Sequence, residues 1–261
     1  MSPIVTLTTD FGLRDAFVGA VKGVLLSRCP DAQIVDITHE IPPHAVRTGA
    51  LRLASAARYF PAGTVHLAVV DPGVGGARRP IAVEANAQHF VGPDNGVLSL
   101  AAPRTLAGWR AVELTNPAYR LPRVSNTFHG RDLFAPTAAH LLCGGALEDL
   151  GPRIDSIVEM ALPRPARNGE VLRGVVLDVD RFGNLITNVC AEDLTGWNVE
   201  QVRVGDLQID GLRTAYDESR RVVALIDSDD RLEIAVPGGS ASLRFGIGLD
   251  DPVEVRLRPL P

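Results

Sequence analysis

Aromatic residues are scarce in this sequence of 261 residues: Phe, Trp and Tyr together make up 5% of it. The core must therefore be filled by Val, Leu, Ile and Ala. A hydrophobic share of 46% supplies enough of them and argues against a disordered chain. Cysteines are few, one each at 29, 143 and 190, with no C-x-x-C pair. Their odd number and wide spacing exclude a disulfide framework and fit a reducing compartment, with the thiols in the core. No apolar run reaches the roughly 18 residues of a membrane span. The opening "MSPIVTLTTDFG" lacks a basic segment leading into an apolar one, so no signal peptide is expected. These absences predict a soluble, cytoplasmic protein. An excess of positive charge is missing too: the net charge is -5 and the arginines are spread among acids. No nucleic-acid partner is expected, because phosphate binding needs a basic surface.

Several catalytic signatures are also absent. There is no G-x-S-x-G elbow for a serine nucleophile and no P-loop lysine. The turn after the first strand reads "TTDFGLRD", which is not the G-x-G-x-x-G of a dinucleotide-dependent oxidoreductase. The histidines show no metal-ligand spacing, so no metal is expected.

What is present is a clear order of elements. "IVTLTT" (4–9), "QIVDIT" (33–38) and "TVHLAVV" (64–70) read as buried strands. Residues 15–29 and 45–60 between them carry apolar side chains at helical spacing. Strand, helix, strand, helix, strand means parallel pairing under helices on both faces. "PIAVEA" and "HFVGPDNG" read as two further strands, and 130–145 as a late helix. Composition shifts at "LPRPARNGE" (162–170), a linker rich in proline and charge. Beyond it come short strand signals at 170–180, 184–189, 201–209, 220–227, 231–236 and 252–258, with little helix. The expected fold is an α/β domain over 1–161, with a mostly parallel sheet between helices, and an all-β, barrel-like domain over 171–261.

In open α/β sheets ligands bind beyond the carboxyl ends of the strands. Three loops qualify here: "TTDFG" with Asp10, "DITHEIPP", and "VVDPGVGGARRP" (69–80) with Asp71 and Arg78. The glycines of the third loop resemble a phosphate cradle, but Asp71 would repel a phosphate and suits a cationic or polar ligand better. The plain alternative is a tight turn capped by Asp71, with Arg78 paired to a surface acid. "SNTFHGRDLF" (125–134) offers Phe128 and His129 just before the late helix, the histidine as base, orienting donor or helix cap. "GPDNG" reads first as a turn. "DRFGNLITN" (180–188) reads either as a hairpin turn or as a base-binding segment through Phe182 and Asn184.

Seven stretches in order ("TTDFG", "DITHEIPP", "VVDPGVGGARR", "FVGPDNG", "TFHGRDLFAP", "DRFGNLITN" and "DSDDRLEIAV") together resemble the S-adenosyl-L-methionine hydrolases, or SAM hydroxide adenosyltransferases. These are relatives of the enzymes that build carbon–halogen bonds from the same substrate. The resemblance covers nearly the whole chain. It implies S-adenosyl-L-methionine as substrate, with no further cofactor, and a homotrimer whose sites lie between the N-terminal domain of one subunit and the C-terminal domain of its neighbour. It carries the family's catalytic set onto Asp71, Arg78 and His129 and its ribose-gripping aspartate onto Asp10. Asp180, Phe182 and Asn184 match the segment that holds the methionine amine and the adenine, Phe128 falls among the substrate contacts, and Ser228 matches a serine near the methionine carboxylate. Halogenating relatives carry an arginine at Asp229, a tryptophan at His44, a serine at Gly130 and a tyrosine at Asp71.

A carboxylate at Asp71 would repel a halide but tolerate water. The sulfonium leaves as a neutral thioether and needs no general acid. The demanding partner is water, which must lie in line with the C5′–sulfur bond at about 3–3.5 Å from carbon. The expected reaction is hydrolysis to adenosine and L-methionine, with Asp71, Arg78 and His129 around one water. The alternatives are a non-catalytic sensor of S-adenosyl-L-methionine or adenosine, and a halogenase.

Overall fold

The strand–helix alternation at the start of the chain produces three parallel neighbours. β1 (Ile4–Thr9) lies between β2 (Gln33–Thr38) and β3 (Val65–Val69), and α1 (Phe17–Arg28) and α2 (Val46–Ala57) form the crossovers. The structure, a computed structural model, describes residues 2–216 and 221–260. The chain divides into two compact units, residues 1–160 and 161–261.

In the first unit β4 (Pro80–Ala85), β5 (Gln88–Pro93), β6 (Arg110–Glu113), α3 (Ala135–Leu142) and β7 (Arg153–Ile154) follow. The seven strands run in the order β2-β1-β3-β5-β4-β6-β7. Only β2-β1, β1-β3 and β3-β5 pair in parallel; the pairings on the β4 side are antiparallel. The sheet is therefore mixed rather than mostly parallel. The reason lies in Asn86 and Ala87, both at positive φ (50° and 58°), which turn the chain directly from β4 into β5. Such a two-residue turn joins only antiparallel strands. Val21 and Leu25 of α1 and Ala138 and Leu142 of α3 pack with Val5, Leu7 and Leu67 on one face. Leu53 and Ala57 of α2 pack with Ala68, Val70 and Ile81 on the other. Burial of each such leucine is worth about 2 kcal/mol, so these two apolar layers dominate the unit's stability. The late helix is shorter than expected because Gly130–Phe134 form a π turn, with the Ala135 N–H donating to the Gly130 carbonyl.

The second unit contains β8 (Ala166–Asn168), β9 (Val171–Val179), β10 (Leu185–Cys190), β11 (Trp197–Val204), β12 (Leu207–Asp210), β13 (Val223–Ile226), β14 (Arg231–Ala235), α4 (Ala241–Phe245) and β15 (Pro252–Pro259). All ladder pairings are antiparallel, along β12-β11-β15-β9-β10-β14-β13, with β8 on β9. One bridge, Arg213 to Leu225, brings the chain beyond β12 to β13, so the sheet is nearly barrel-shaped. Leu172, Val176, Leu185, Val202, Ile234 and Val255 fill its interior. Gly205 (φ 55°) breaks the strand expected at 201–209 into a hairpin. Arg220, first residue of the strand expected at 220–227, lies outside the described residues. No helix among the described residues is long and apolar enough to cross a membrane. Cys29 is buried and Cys190 half-buried as expected of core thiols, but Cys143 is exposed, because α3 ends just before it.

Candidate active site

Parallel register at β2-β1-β3 carries the three polar strand ends to one edge of the sheet. Asp10 follows β1, and its Oδ2 accepts the backbone N–H of His44 at 2.9 Å. His44 sits at φ 68°, a left-handed conformation, two residues before α2 begins. The Thr9 hydroxyl meets His39 Nδ1 at 2.8 Å, and the Gly12 N–H donates to the His39 carbonyl at 2.8 Å. The loops after β1 and β2 therefore hold each other, and Asp10 with them.

Asp71 follows β3. The Arg78 Nε donates to its Oδ1 at 3.0 Å and the Nη2 to its Oδ2 at 2.5 Å. The side chains are only 5% and 10% exposed, so the two charges face each other with little water between them. The same Nη2 lies 2.7 Å from His129 Nδ1. Phe134, fully buried at the end of the π turn, backs the guanidinium at 5.3 Å. Arg79 turns the other way, donating to Asp94 (2.5 and 2.9 Å) and to the Ser156 carbonyl (3.0 Å). Arg78 is thus paired to the buried Asp71 rather than to a surface acid, and Arg79 to the buried Asp94 of "GPDNG". Asn95 adds a second anchor: its Nδ2 donates to the Val70 carbonyl at 2.8 Å, fixing the residue before Asp71.

The glycines of the loop serve a close approach of backbone to backbone. Gly75 has φ +74°, and a Cβ there would lie 2.2 Å from the Asn126 carbonyl oxygen. Only glycine allows the loop bearing Asp71 and Arg78 to seat on the segment bearing His129.

Arginine is an obligate donor, so His129 Nδ1 must accept, which leaves the single ring proton on Nε2. Burial, and after it the Arg78 charge, holds His129 below its usual pKa range, against the opposing pull of Asp71 and Asp132. The ring is neutral at physiological pH.

A cleft of about 270 Å³ opens beside these groups, lined by Asp10, Asp71 and His129 on its polar side. Phe11, Phe17 and Phe128 line its apolar side, with ring centroids 5.1–6.0 Å apart. Gly130 also lines it, and a Cβ there would stand 3.0 Å from Phe11 Cζ. Phe11 and Phe17 are missed by the sequence reading; for Phe11 its place beside the strand-end acid Asp10 is the available signal, and Phe17 has none.

The remaining sequence-derived residues gather in the second unit, around a pocket of about 870 Å³ that includes Asp180, Phe182, Asn184 and Ser228. Asp180 Oδ1 accepts the N–H groups of Phe182 and Asn184 at 2.9 and 2.8 Å, and its Oδ2 accepts the Asn184 side-chain amide at 3.1 Å. The hairpin reading and the binding reading of this segment are therefore compatible: the turn leaves Phe182 75% exposed with its ring presented outward. Asp227 similarly closes the "DSDD" turn, accepting from the N–H groups of Asp229 and Arg231. Glu233 and Tyr216 share this pocket and were not singled out by sequence. The Tyr216 hydroxyl donates to Glu233 at 2.6 Å. Burial, with Asp180 and Asp227 nearby, raises the Glu233 carboxyl. An acid set between two apolar residues of a strand, Leu232 and Ile234, was the signal. Among the described residues no group of three or more His, Cys, Asp or Glu could hold a metal ion.

Against known families, residues 5–151 match the SAM hydroxide adenosyltransferase N-terminal domain and residues 174–254 its C-terminal domain. The chain belongs to the SAM hydroxide adenosyltransferase family. Within that family, a protein of Salinispora arenicola named (R)-S-adenosyl-L-methionine hydrolase is 42% identical over 260 residues, 97% of this chain and 98% of that protein. A fluorinase of an Actinoplanes species is 31% identical over 241 residues, 82% of this chain and 80% of that one. The crystal structure of an uncharacterized conserved protein from Thermotoga maritima aligns with a TM-score of 0.88 at 37% identity, over 97% of this chain and 99% of that one.

Proposed function

We propose that this member of the family hydrolyses S-adenosyl-L-methionine to adenosine and L-methionine by in-line attack of water at C5′. The observation that carries the reading is the single Arg78 nitrogen held between the Asp71 carboxylate and His129 Nδ1. The name of the Salinispora relative adds an (R) to the L of methionine, which leaves the sulfonium as the centre described. We take the (R)-sulfonium epimer as the substrate here as well.

Each group has a role that follows from its bonding. Asp71 keeps lone pairs beyond those used by Arg78 and accepts a hydrogen bond from the attacking water. It takes the water's proton, for later release to solvent, as the C5′–oxygen bond forms and the C5′–sulfur bond breaks, methionine leaving as the neutral thioether. His129, with its proton on Nε2, donates and orients. Arg78 stabilises hydroxide character as it develops, and a buried guanidinium does this more strongly than one in water. The phenylalanine rings of the cleft favour the sulfonium through their faces. Asp10, whose Oδ2 is held by His44, offers Oδ1 to the ribose hydroxyls. Asp180, Phe182, Asn184 and Ser228 hold the adenine and methionine ends. No carboxylate-free pocket for a halide exists at Asp71, which favours water over chloride or fluoride. The reading includes a homotrimer in the cytoplasm, as the resemblance implies, and no cofactor beyond the substrate.

The test is incubation of the purified protein with each sulfonium epimer in ¹⁸O-labelled water, with and without chloride. Adenosine labelled at O5′, formed equally without chloride and faster from the (R) epimer, is expected. Return of intact ligand would overturn the reading in favour of a binding protein, and 5′-chloroadenosine in favour of a halogenase. Trimer mass is checked by sedimentation.

A further inference from the structure

Asp132 has no part in the chemistry above, yet its side chain is fully buried, at 0% exposure, among Leu133, Phe134 and the rest of the first unit's core. Burial alone would raise its carboxyl, but hydrogen bonds from Arg131 and Ser125 outweigh it and hold the group below its usual range. A buried carboxylate is costly unless its oxygens are satisfied, and removing its partners is costlier still. Here both oxygens are used. Oδ1 accepts from Arg131 Nε at 2.6 Å; Oδ2 accepts from the Ser125 N–H at 2.8 Å and from Arg131 Nη2 at 3.2 Å.

The bonds converge on the residue before His129. Ser125 Oγ accepts from the Phe128 N–H at 3.1 Å, while the N–H groups of Arg131 and Asp132 both donate to the Phe128 carbonyl at 3.2 and 3.1 Å. The Arg131 guanidinium also covers the Phe128 ring at 5.0 Å. The carboxylate thus ties the first residue of the 125–132 segment to the last, and both ends clasp Phe128. His129 stands at the mouth of this closed turn, where the π turn begins. π turns recur at functional sites because they re-aim side chains within a helix.

We infer that Asp132 is the positioning residue for His129: by closing the 125–132 turn it fixes the imidazole against Arg78. The inference rests on the hydrolase reading only for its kinetic consequence. The charged groups that face His129 are Arg78 and Asp71 from the loop after β3, Arg120 from the segment before the turn, and Asp132 from its own turn. Asp132 is the member of this set within the turn that supports protonation of the ring. Its removal should displace the ring and also lower the pH at which the ring titrates.

The experiment compares wild type, Asp132→Asn, His129→Ala and the double variant, by turnover of (R)-S-adenosyl-L-methionine and by ¹⁵N imidazole NMR of His129. Asn keeps one acceptor but presents an amide donor where an N–H or guanidinium already donates. The expected result for Asp132→Asn is a kcat about 10- to 100-fold lower with KM little changed, since a misplacement on the order of 1 Å costs about that much. The double variant should be no slower than His129→Ala alone, because one residue acts through the other. In the spectrum, Nδ1 of wild type should report an unprotonated acceptor, and in Asp132→Asn the tautomers should mix and the titration move to lower pH. Unchanged ¹⁵N shifts and titration in Asp132→Asn would overturn the inference, as would additive losses in the double variant. Full activity in His129→Ala would overturn the catalytic role of His129, and absence of turnover in the wild type would overturn the hydrolase reading; in either case the NMR comparison still decides the role of Asp132. Should Asp132→Asn fail to fold, Ser125→Ala, which removes the acceptor for the Phe128 N–H and leaves the charge in place, takes its part, judged by kcat, by the double variant with His129→Ala and by the tautomer signature of the ¹⁵N shifts, with no shift in titration expected.

Discussion

One nitrogen of Arg78, Nη2, stands 2.5 Å from Asp71 Oδ2 and 2.7 Å from His129 Nδ1. A guanidinium has only donors, so this contact sets the histidine tautomer as well as the orientation of the carboxylate. The three residues behave as a unit, and their losses should not add. Asp71→Ala, Arg78→Ala and His129→Ala are each expected to lower kcat by about 10²-fold or more while the protein stays folded. Arg78→Lys should rescue little, because a single ammonium lacks the fork that spans both partners. Chromatographic release of adenosine measures all four.

The pH profile should carry the same signature. Burial and the Arg78 charge hold His129 below its ordinary pKa, so the neutral ring persists to lower pH than a free histidine would. A protonated Nδ1 would face the Arg78 donor with a second donor. Log(kcat/KM) should therefore stay level as pH falls through about 6.5 and drop only below it. A limb centred above the ordinary histidine value would contradict the tautomer.

Gly75 makes a prediction about the loop. Its φ of +74° and the Asn126 oxygen 2.2 Å from its would-be Cβ leave Gly75→Ala no room. The loop with Asp71 and Arg78 would have to lift from the segment with His129. Expected are a loss of about 2 kcal/mol or more in stability and at least a ~10-fold drop in kcat. Gly108 has a similar φ of +68° but nothing within 4 Å of its would-be Cβ. Gly108→Ala should cost only about 1 kcal/mol and leave turnover intact. Urea melts and initial rates on the pair separate strain from displacement.

His66 should shape acid stability. It is fully buried, its Nδ1 meets the Thr6 hydroxyl at 2.8 Å, and its ring stacks on Phe90 at 4.8 Å. Burial pushes its pKa down from 6.5 to about 4. The unfolded chain takes up a proton below pH 6.5, and the folded chain does so only near pH 4. Stability is therefore whole above pH 6.5, falls between 6.5 and about 4, and is flat below that as far as this group is concerned. The difference amounts to about 3 kcal/mol. Denaturant titrations at pH 7.5 and 4.5 should show a smaller acid loss in His66→Gln, which cannot titrate.

Much of the fold was legible from local pattern. The strands at 4–9, 33–38 and 64–70 and the helices between them follow from uninterrupted apolar runs and helical spacing, signals that depend on neighbours in the chain. β6 and β7 were not legible: four and two residues long, they are strands only because each meets an open edge, β6 on β4 and β7 on β6. The mixed character of the sheet hung on Asn86 and Ala87, residues without a strong turn signature. In the site, Asp10, Asp71 and His129 were visible as polar residues at strand ends or before a helix. Phe17 was hidden, because a phenylalanine at a helix start has the same local pattern whether it packs inward or lines a cleft.

By itself, the sequence determined the alternating layers, the strand ends that bear Asp10 and Asp71, and the run of motifs that marks the family. Those depend on short-range periodicity and on residue identity. Which arginine enters the site was a tertiary decision. Arg78 and Arg79 are chemically equal, but they lead into the extended strand β4, where successive side chains take opposite sides. One finds Asp71 and His129, fifty-one residues further along, and the other finds Asp94. That assignment needed the Gly75–Asn126 contact and the turn closed by Asp132, because distance in space, and not spacing in the chain, sets which charges meet.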